Sequence, residues 1–264
     1  MPLKEKFVIK KLGNTNIIPN WYVENKLWSL HGQFIDYLIR FYISRKTKNK
    51  FEDFRSDEII SNMEIQYETD LTFYNNITKY QAKKLINSYN RLFESKLTEK
   101  FINDLFNTSI CHSIWFDNFH KCFGKKCKNN NCKFNDYNFI GNKNHKIYRP
   151  MLDSITNYFN ETKIINKNIK LNPVLSLSHI KLVGDADIII NDNLIDIKVS
   201  KDIGEQFEDF YQLIIYACMY FYNNREKINK LIIYNPLCNK EYSISLENWN
   251  EEKNMIKLFE TYFE

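Results

Sequence analysis

Apolar and polar residues alternate along the stretch 195–200, which runs IDIKVS. A period of two sends alternate side chains to opposite faces of a β-sheet, so this pattern predicts a strand. The aliphatic residues share one face of the strand. Asp196 and Lys198 are neighbours on the other face.

A second apolar run, DADIII at 185–190, precedes this strand and predicts its hairpin partner. The polar triplet 191–193 separates the two runs with residues that tolerate the positive φ angles of a tight turn. If the first two of these residues form the loop, Asp187 lies directly across from Asp196. If the last two form it, Asp187 lies across from Lys198 and diagonal to Asp196. Both registers put the three side chains on one face, whereas a three-residue loop without a bulge would put Asp187 on the other.

Two carboxylates and one ammonium group on adjacent strands indicate a particular chemistry. The oxygens of Asp187 and Asp196 are suited to Mg²⁺ or Mn²⁺, which also keeps waters and binds a substrate phosphate. Such an ion neutralises charge on the phosphate and lowers the pKa of a water. Lys198 would orient that water or stabilise the added charge. Gly184 permits a close turn or a close backbone approach where the strand enters the site.

A helix is predicted from Glu205 to Tyr222, because most of its residues are apolar and would cover the sheet. Gln212 and Tyr216 lie four residues apart and therefore share one helix face. This polar pair is placed to reach back over the metal site.

These motifs, in this order, resemble those of RecB-like nucleases in the PD-(D/E)xK superfamily, with Asp in place of the more common Glu before x-K. The matching motifs are Gly184-x-x-Asp187, Asp196-x-Lys198 and Gln212-x-x-x-Tyr216.

The resemblance implies a restriction-endonuclease-like α/β core, with a mixed central sheet flanked by helices. It also implies a Mg²⁺-dependent nuclease that hydrolyses DNA, often as an exonuclease. Asp187 and Asp196 would be the metal ligands and Lys198 the catalytic lysine. Gln212 and Tyr216 would place the nucleic acid.

An early helix, predicted from Trp21 to Ser44 by apolar residues at helical spacing, carries a further similarity. RecB-like nucleases often have a glycine followed four residues later by a histidine or an acid, and Gly32 and Asp36 are similar to that pair. Asp36 would then be a further metal or water ligand, and Arg40, one turn on, a phosphate contact. The alternative is that Asp36 and Arg40 form an ordinary surface pair.

The rest of the chain is read as one nuclease domain, 1–264, with residues 45–146 as a largely helical and loop insertion and the core sheet within 164–247. No definite element is predicted for 45–78. The remaining elements are one or two helices over 79–106, a helix opening at Arg149-Pro150 and running to Asn160, a strand within 164–177, strands in KLIIYNPL and KEYSISL, and a final helix at 247–263.

The composition narrows the class of protein. A chain of 264 residues with 44% hydrophobic residues is globular. A net charge of +5 mildly favours a polyanionic partner. The N-terminus lacks the apolar segment of a secretory signal, and the longest apolar run is shorter than the ~20 residues that span a bilayer. We therefore expect a soluble intracellular protein, of the cytoplasm or nucleus or encoded by a virus, with DNA as partner and no membrane association.

Three cysteines within a Lys-rich and Asn-rich stretch, with a fourth just upstream, allow a second interpretation. Without a secretory signal, a disulfide framework is disfavoured, and these thiols could hold Zn²⁺ or an iron–sulfur cluster. Some RecB-like nucleases carry such a cluster, but its cysteines flank the nuclease core, whereas these precede Gly184. The alternative function is a non-catalytic nucleic-acid-binding or scaffold protein that uses this basic insert. The cysteines are Cys111, Cys122, Cys127 and Cys132.

Overall fold

The computed structural model describes residues 7–12, 28–48, 54–69, 79–94, 100–109, 145–164, 167–177, 181–199 and 208–246. The chain forms two compact units, each assembled from separate stretches of sequence. The sheet unit comprises Met1–Asn20, Ile39–Glu52 and Asp153–Glu264, and the helical unit comprises Trp21–Leu38 and Asp53–Leu152.

The described helices are α1 (Trp28–Thr47), α2 (Phe54–Glu68), α3 (Lys79–Glu94), α4 (100–109), α5 (His145–Glu161) and α6 (Glu208–Asn224). The described strands are β1 (Phe7–Lys11), β2 (Ile169–Leu171), β3 (Val174–Leu177), β4 (Leu182–Asp185), β5 (Ile188–Ile190), β6 (Asn193–Ile197), β7 (Lys230–Asn235) and β8 (Lys240–Ser245).

Within the described residues, six strands form one sheet in the order β1-β8-β7-β6-β5-β2. The β6–β7 pair is parallel and the other pairs are antiparallel. A parallel pair needs a crossover connection, which α6 supplies. The chain therefore has an α/β fold with a mixed central sheet, as the sequence predicts.

Helices cover both faces of this sheet. On one face, apolar residues of α6 form a core with alternate residues of the strands, among them Leu194 of β6 and Ile233 of β7. On the other face, Tyr158 of α5 stacks on Tyr234 of β7, with ring centroids 4.1 Å apart. Because side chains alternate along β6, Asp196 lies on the same face as Leu194 and points toward α6.

Two predicted strands are each divided in the structure. The run 185–190 ends one strand at Asp185 and begins another at Ile188, so the regular strand that would place Asp185 beside Asp187 does not form. The predicted strand within 164–177 divides into β2 and β3 at Asn172, whose φ is 51°. At both breaks the chain passes between the central sheet and a separate two-stranded sheet of β3 and β4.

Other elements also differ from the sequence prediction. Strand β1 and helix α2 are not among the elements that the sequence pattern predicts. Helix α5 begins at His145 and continues through Pro150, before the predicted opening. The predicted final helix, 247–263, lies outside the described residues. No helix in the described ranges is long and apolar enough to cross a membrane.

Candidate active site

The β5–β6 hairpin sets the register of the site. Ile190 pairs with Asn193, which leaves a two-residue loop whose first residue, Asn191, has a φ of 55°. Continuing that register one residue before β5 places Asp187 directly across from Asp196. Of the two registers that the sequence allows, the one with the loop at 191–192 is therefore confirmed.

The Asp187 carboxylate is fixed by two contacts. Its Oδ2 accepts the backbone N–H of Ile197 at 2.7 Å, and its Oδ1 lies 3.5 Å from Nη2 of Arg40. The Arg40 side chain is 8% exposed and the Asp187 side chain 21%. Arg40 therefore neutralises and orients this carboxylate, and its predicted contact with phosphate stays a prediction.

Asp196 is the more deeply buried of the two acids, with 11% of its side chain exposed. Burial raises its pKa to about 7, and repulsion from the charge of Asp187 adds to the effect despite the opposing attraction of Lys198. Its buried Oδ2 accepts no hydrogen bond from any described residue. The Lys198 ammonium lies 3.1 Å from that oxygen as an ion pair.

Lys198 follows β6 and is fixed by the sheet at its backbone. Its N–H donates to the carbonyl of Tyr234 on β7 at 3.1 Å. Its Nζ lies 3.1 Å from Asp196 Oδ2 and 3.5 Å from Asp209 Oδ1. Burial alone would lower the pKa of Lys198, but attraction to these carboxylates raises it, so the side chain is held as a cation.

Asp209 belongs to this site although the sequence motifs do not include it. It lies in the first turn of α6, and its side chain is 25% exposed. Its spacing of three residues to Gln212 and seven to Tyr216 puts all three on one helix face. That spacing is visible in the sequence and is the signal that identifies it.

Tyr216 lies between the site and the two-stranded sheet of β3 and β4. Gln212 Nε2 donates to its hydroxyl at 2.8 Å. A Cβ atom added at Gly184 would lie 2.5 Å from Cε1 of its ring, so the close approach at that glycine is made by this side chain. The pKa of Tyr216 is raised by burial and by the charges of Asp196, Asp187 and Asp185, although the Gln212 hydrogen bond opposes the shift.

For two groups of predicted site residues the structure gives no contact with this site. Asp36 is half-buried on α1, one turn before Arg40, and belongs to the helical unit, so its role as a ligand stays a prediction. The candidate Zn²⁺ or iron–sulfur ligands Cys111, Cys122, Cys127 and Cys132 lie outside the described residues. The cysteines that the structure describes, Cys218 and Cys238, are buried.

The residues present fit a Mg²⁺-type ion. No group of three or more His, Cys, Asp or Glu side chains in the described part of the chain forms a complete metal site. Mg²⁺, however, commonly uses only one or two carboxylates, with waters and substrate phosphates as its other ligands. Asp187 and Asp196 supply two carboxylates, and the Lys198 ammonium lies beside the second of them.

No family model matches this chain, and neither a curated protein nor a solved structure is significantly similar to it. A function is therefore inferred from the geometry of the site.

Proposed function

We propose that this chain is a divalent-metal-dependent nuclease that hydrolyses DNA phosphodiester bonds, a RecB-like member of the PD-(D/E)xK superfamily. One observation carries the proposal. The hairpin register puts Asp187 across from Asp196, and the Lys198 ammonium lies 3.1 Å from the buried Oδ2 of Asp196. Two carboxylates and a lysine in this arrangement suit metal-assisted attack of water on a phosphodiester.

The order of elements supports the same assignment. Antiparallel strands β2, β5 and β6 are followed by α6 and then by β7, which is parallel to β6. The resemblance implies the order helix, three strands, helix, strand or strands and helix, and the described elements agree with it as far as β8. The β3–β4 hairpin is inserted between the first two of these strands and brings Gly184 against Tyr216.

Each residue has a distinct task in the proposed reaction. Asp187 and Asp196 would hold Mg²⁺ or Mn²⁺ through their carboxylate oxygens. When bound, the ion supplies neutralisation of the scissile phosphate and a lowered pKa for the attacking water. Lys198, a cation in this environment, stabilises the negative charge that develops on the phosphate in the transition state. Arg40 orients Asp187 through its ion pair.

The polar pair on α6 is placed to receive the nucleic acid. Gln212 is exposed, and its hydrogen bond to Tyr216 holds both side chains beside the carboxylates. Amide and phenol groups at that position can donate to a phosphate oxygen. An exonuclease is the mode that the resemblance favours.

The decisive experiment compares end-labelled linear DNA with closed circular DNA in Mg²⁺, Mn²⁺ or EDTA. Wild type is tested beside Lys198→Ala and beside Lys167→Ala, which removes an exposed lysine of the same unit. We expect metal-dependent loss of linear DNA with wild type and with the Lys167 variant. The Lys198 variant should fold and bind DNA but not cleave it.

Alternative results have definite meanings. Cutting of the circle would make the protein an endonuclease. Equal cleavage by wild type and Lys198→Ala would assign the activity to a contaminant or to another site. Absence of metal-dependent cleavage with DNA binding retained would refute the nuclease proposal and favour the non-catalytic alternative.

A further inference from the structure

Two cations would compete for one carboxylate of the site, that of Asp196. Asp196 Oδ2 is the buried oxygen that accepts no hydrogen bond from a described residue, and it lies 3.1 Å from the Lys198 ammonium. A divalent ion held by Asp196 would bind at the same carboxylate that Lys198 contacts. Two cations at one carboxylate repel each other, so Lys198 would lose its nearest partner when such an ion is bound.

Asp209 provides a second partner from a different element. Its Oδ1 lies 3.5 Å from Lys198 Nζ. The backbone beside it is fixed, because Phe210 and Leu213 of α6 are each 1% exposed in the core. The other carboxylates whose charges act on Lys198 are Asp196 and Asp187, and both are the proposed metal ligands.

We propose that Asp209 is a positioning residue that holds the Lys198 ammonium beside the reaction centre when Asp196 is engaged by a divalent cation. It would act through Lys198 and not as a ligand. The assignment of Lys198 to catalysis rests on the proposed function, but the pairing of Asp209 with Lys198 does not. The two can therefore be tested separately.

The first test is a double-mutant cycle on stability, which needs no catalysis. Melting temperatures are measured for wild type, Asp209→Asn, Lys198→Met and the double variant, in EDTA and in saturating Mn²⁺. If the residues are paired, the single shifts should fail to add by about 2 °C in EDTA. The non-additivity should grow in Mn²⁺, because Asp209 is then the carboxylate left to Lys198.

The second test separates positioning from metal binding. In Asp209→Asn, Mn²⁺ affinity by calorimetry should stay within about twofold of wild type, while kcat falls by about ten- to a hundredfold at similar KM. Asp209→Glu should restore part of the lost kcat. Asp153→Asn, which neutralises an exposed acid of the same unit, should change none of these quantities.

Each possible result of the two tests bears on the pairing of Asp209 with Lys198. Additive melting shifts in both conditions would overturn the pairing, and so would non-additivity that does not grow in Mn²⁺. A loss of Mn²⁺ affinity as large as that of Asp187→Asn would make Asp209 a ligand instead. If wild type cleaves no DNA, the proposed function fails, yet the stability cycle still decides whether Asp209 holds Lys198.

Discussion

Replacing Asp196 by asparagine should stabilise the protein in the absence of metal while abolishing cleavage. The carboxylate is buried and close to Asp187, and its pKa is raised to about 7. Asparagine has nearly the shape of the neutral acid and carries no charge. The substitution therefore removes a charge whose ionised form the fold disfavours.

The size and the sign of the effect follow from the pKa. A change from 3.8 in the ordinary side chain to about 7 in the folded protein corresponds to about 4 kcal/mol. Between those pH values, the folded protein keeps a proton on Asp196 that the unfolded chain has released. Wild-type stability from this group is therefore lost as pH rises from about 4 to about 7. Because an amide only imitates the protonated acid, we expect a gain of about 2–4 kcal/mol for Asp196→Asn at pH 8.

Urea unfolding in EDTA from pH 5 to pH 9 measures this effect. The advantage of Asp196→Asn over wild type should increase with pH and level off above about pH 7. Asp153→Asn, at an exposed position, should differ from wild type by no more than about 0.5 kcal/mol throughout. A variant that is less stable than wild type at pH 8, or whose advantage does not depend on pH, would refute the reasoning.

Three other perturbations test the neighbouring contacts. Gly184→Ala should destabilise the protein by about 1–3 kcal/mol in urea unfolding, because its Cβ would lie 2.5 Å from the Tyr216 ring. In a Tyr216→Ala background, Gly184→Ala should cost only a small part of that amount. The same cost in both backgrounds would contradict the clash. Arg40→Gln should cost about 1–3 kcal/mol by leaving a partly buried Asp187 without its cation, and saturating Mn²⁺ should return part of that stability. Asp187→Asn should weaken Mn²⁺ binding at least about tenfold by calorimetry, whereas unchanged affinity would remove it from the ligands.

The register of the hairpin is predictable from sequence because it depends on neighbouring residues. Alternation along 195–200 and the polar triplet 191–193 restrict the pairing to two registers, and both keep Asp187 and Asp196 together. Only the choice between the two registers needs the structure, in which Asn191 and Asp192 form the two-residue loop. The core of the proposed site is thus a local feature of the chain.

The breaks in the sheet are not predictable in the same way. DADIII is a continuous strand pattern, yet the chain leaves the small sheet after Asp185 and enters the central sheet at Ile188. That exchange depends on the packing of β3 and β4 against α6, including the approach of Tyr216 to Gly184. Contacts between residues distant in sequence decide it.

Charge partners and burial also come from tertiary structure. The sequence puts Arg40 one turn after Asp36 but says nothing of its contact with Asp187, which is distant in the chain. Alternation along β6 suggests one polar face. In the structure side chains on both faces of β6 are buried, and α6 covers the face with Asp196. The raised pKa of Asp196 follows from that burial and is invisible in the motif.

A structural role for Asp196 is the main competing explanation, and the geometry disfavours it. An acid that stabilises a fold is usually saturated with hydrogen bonds, which lower its pKa. Asp196 instead has a raised pKa and a buried Oδ2 that accepts no hydrogen bond from a described residue. Its neighbour Lys198 has a second carboxylate partner in Asp209, so the lysine does not depend on Asp196 alone. A buried carboxylate that lowers stability when ionised does not support the fold, and the proposed function explains its presence as that of a metal ligand.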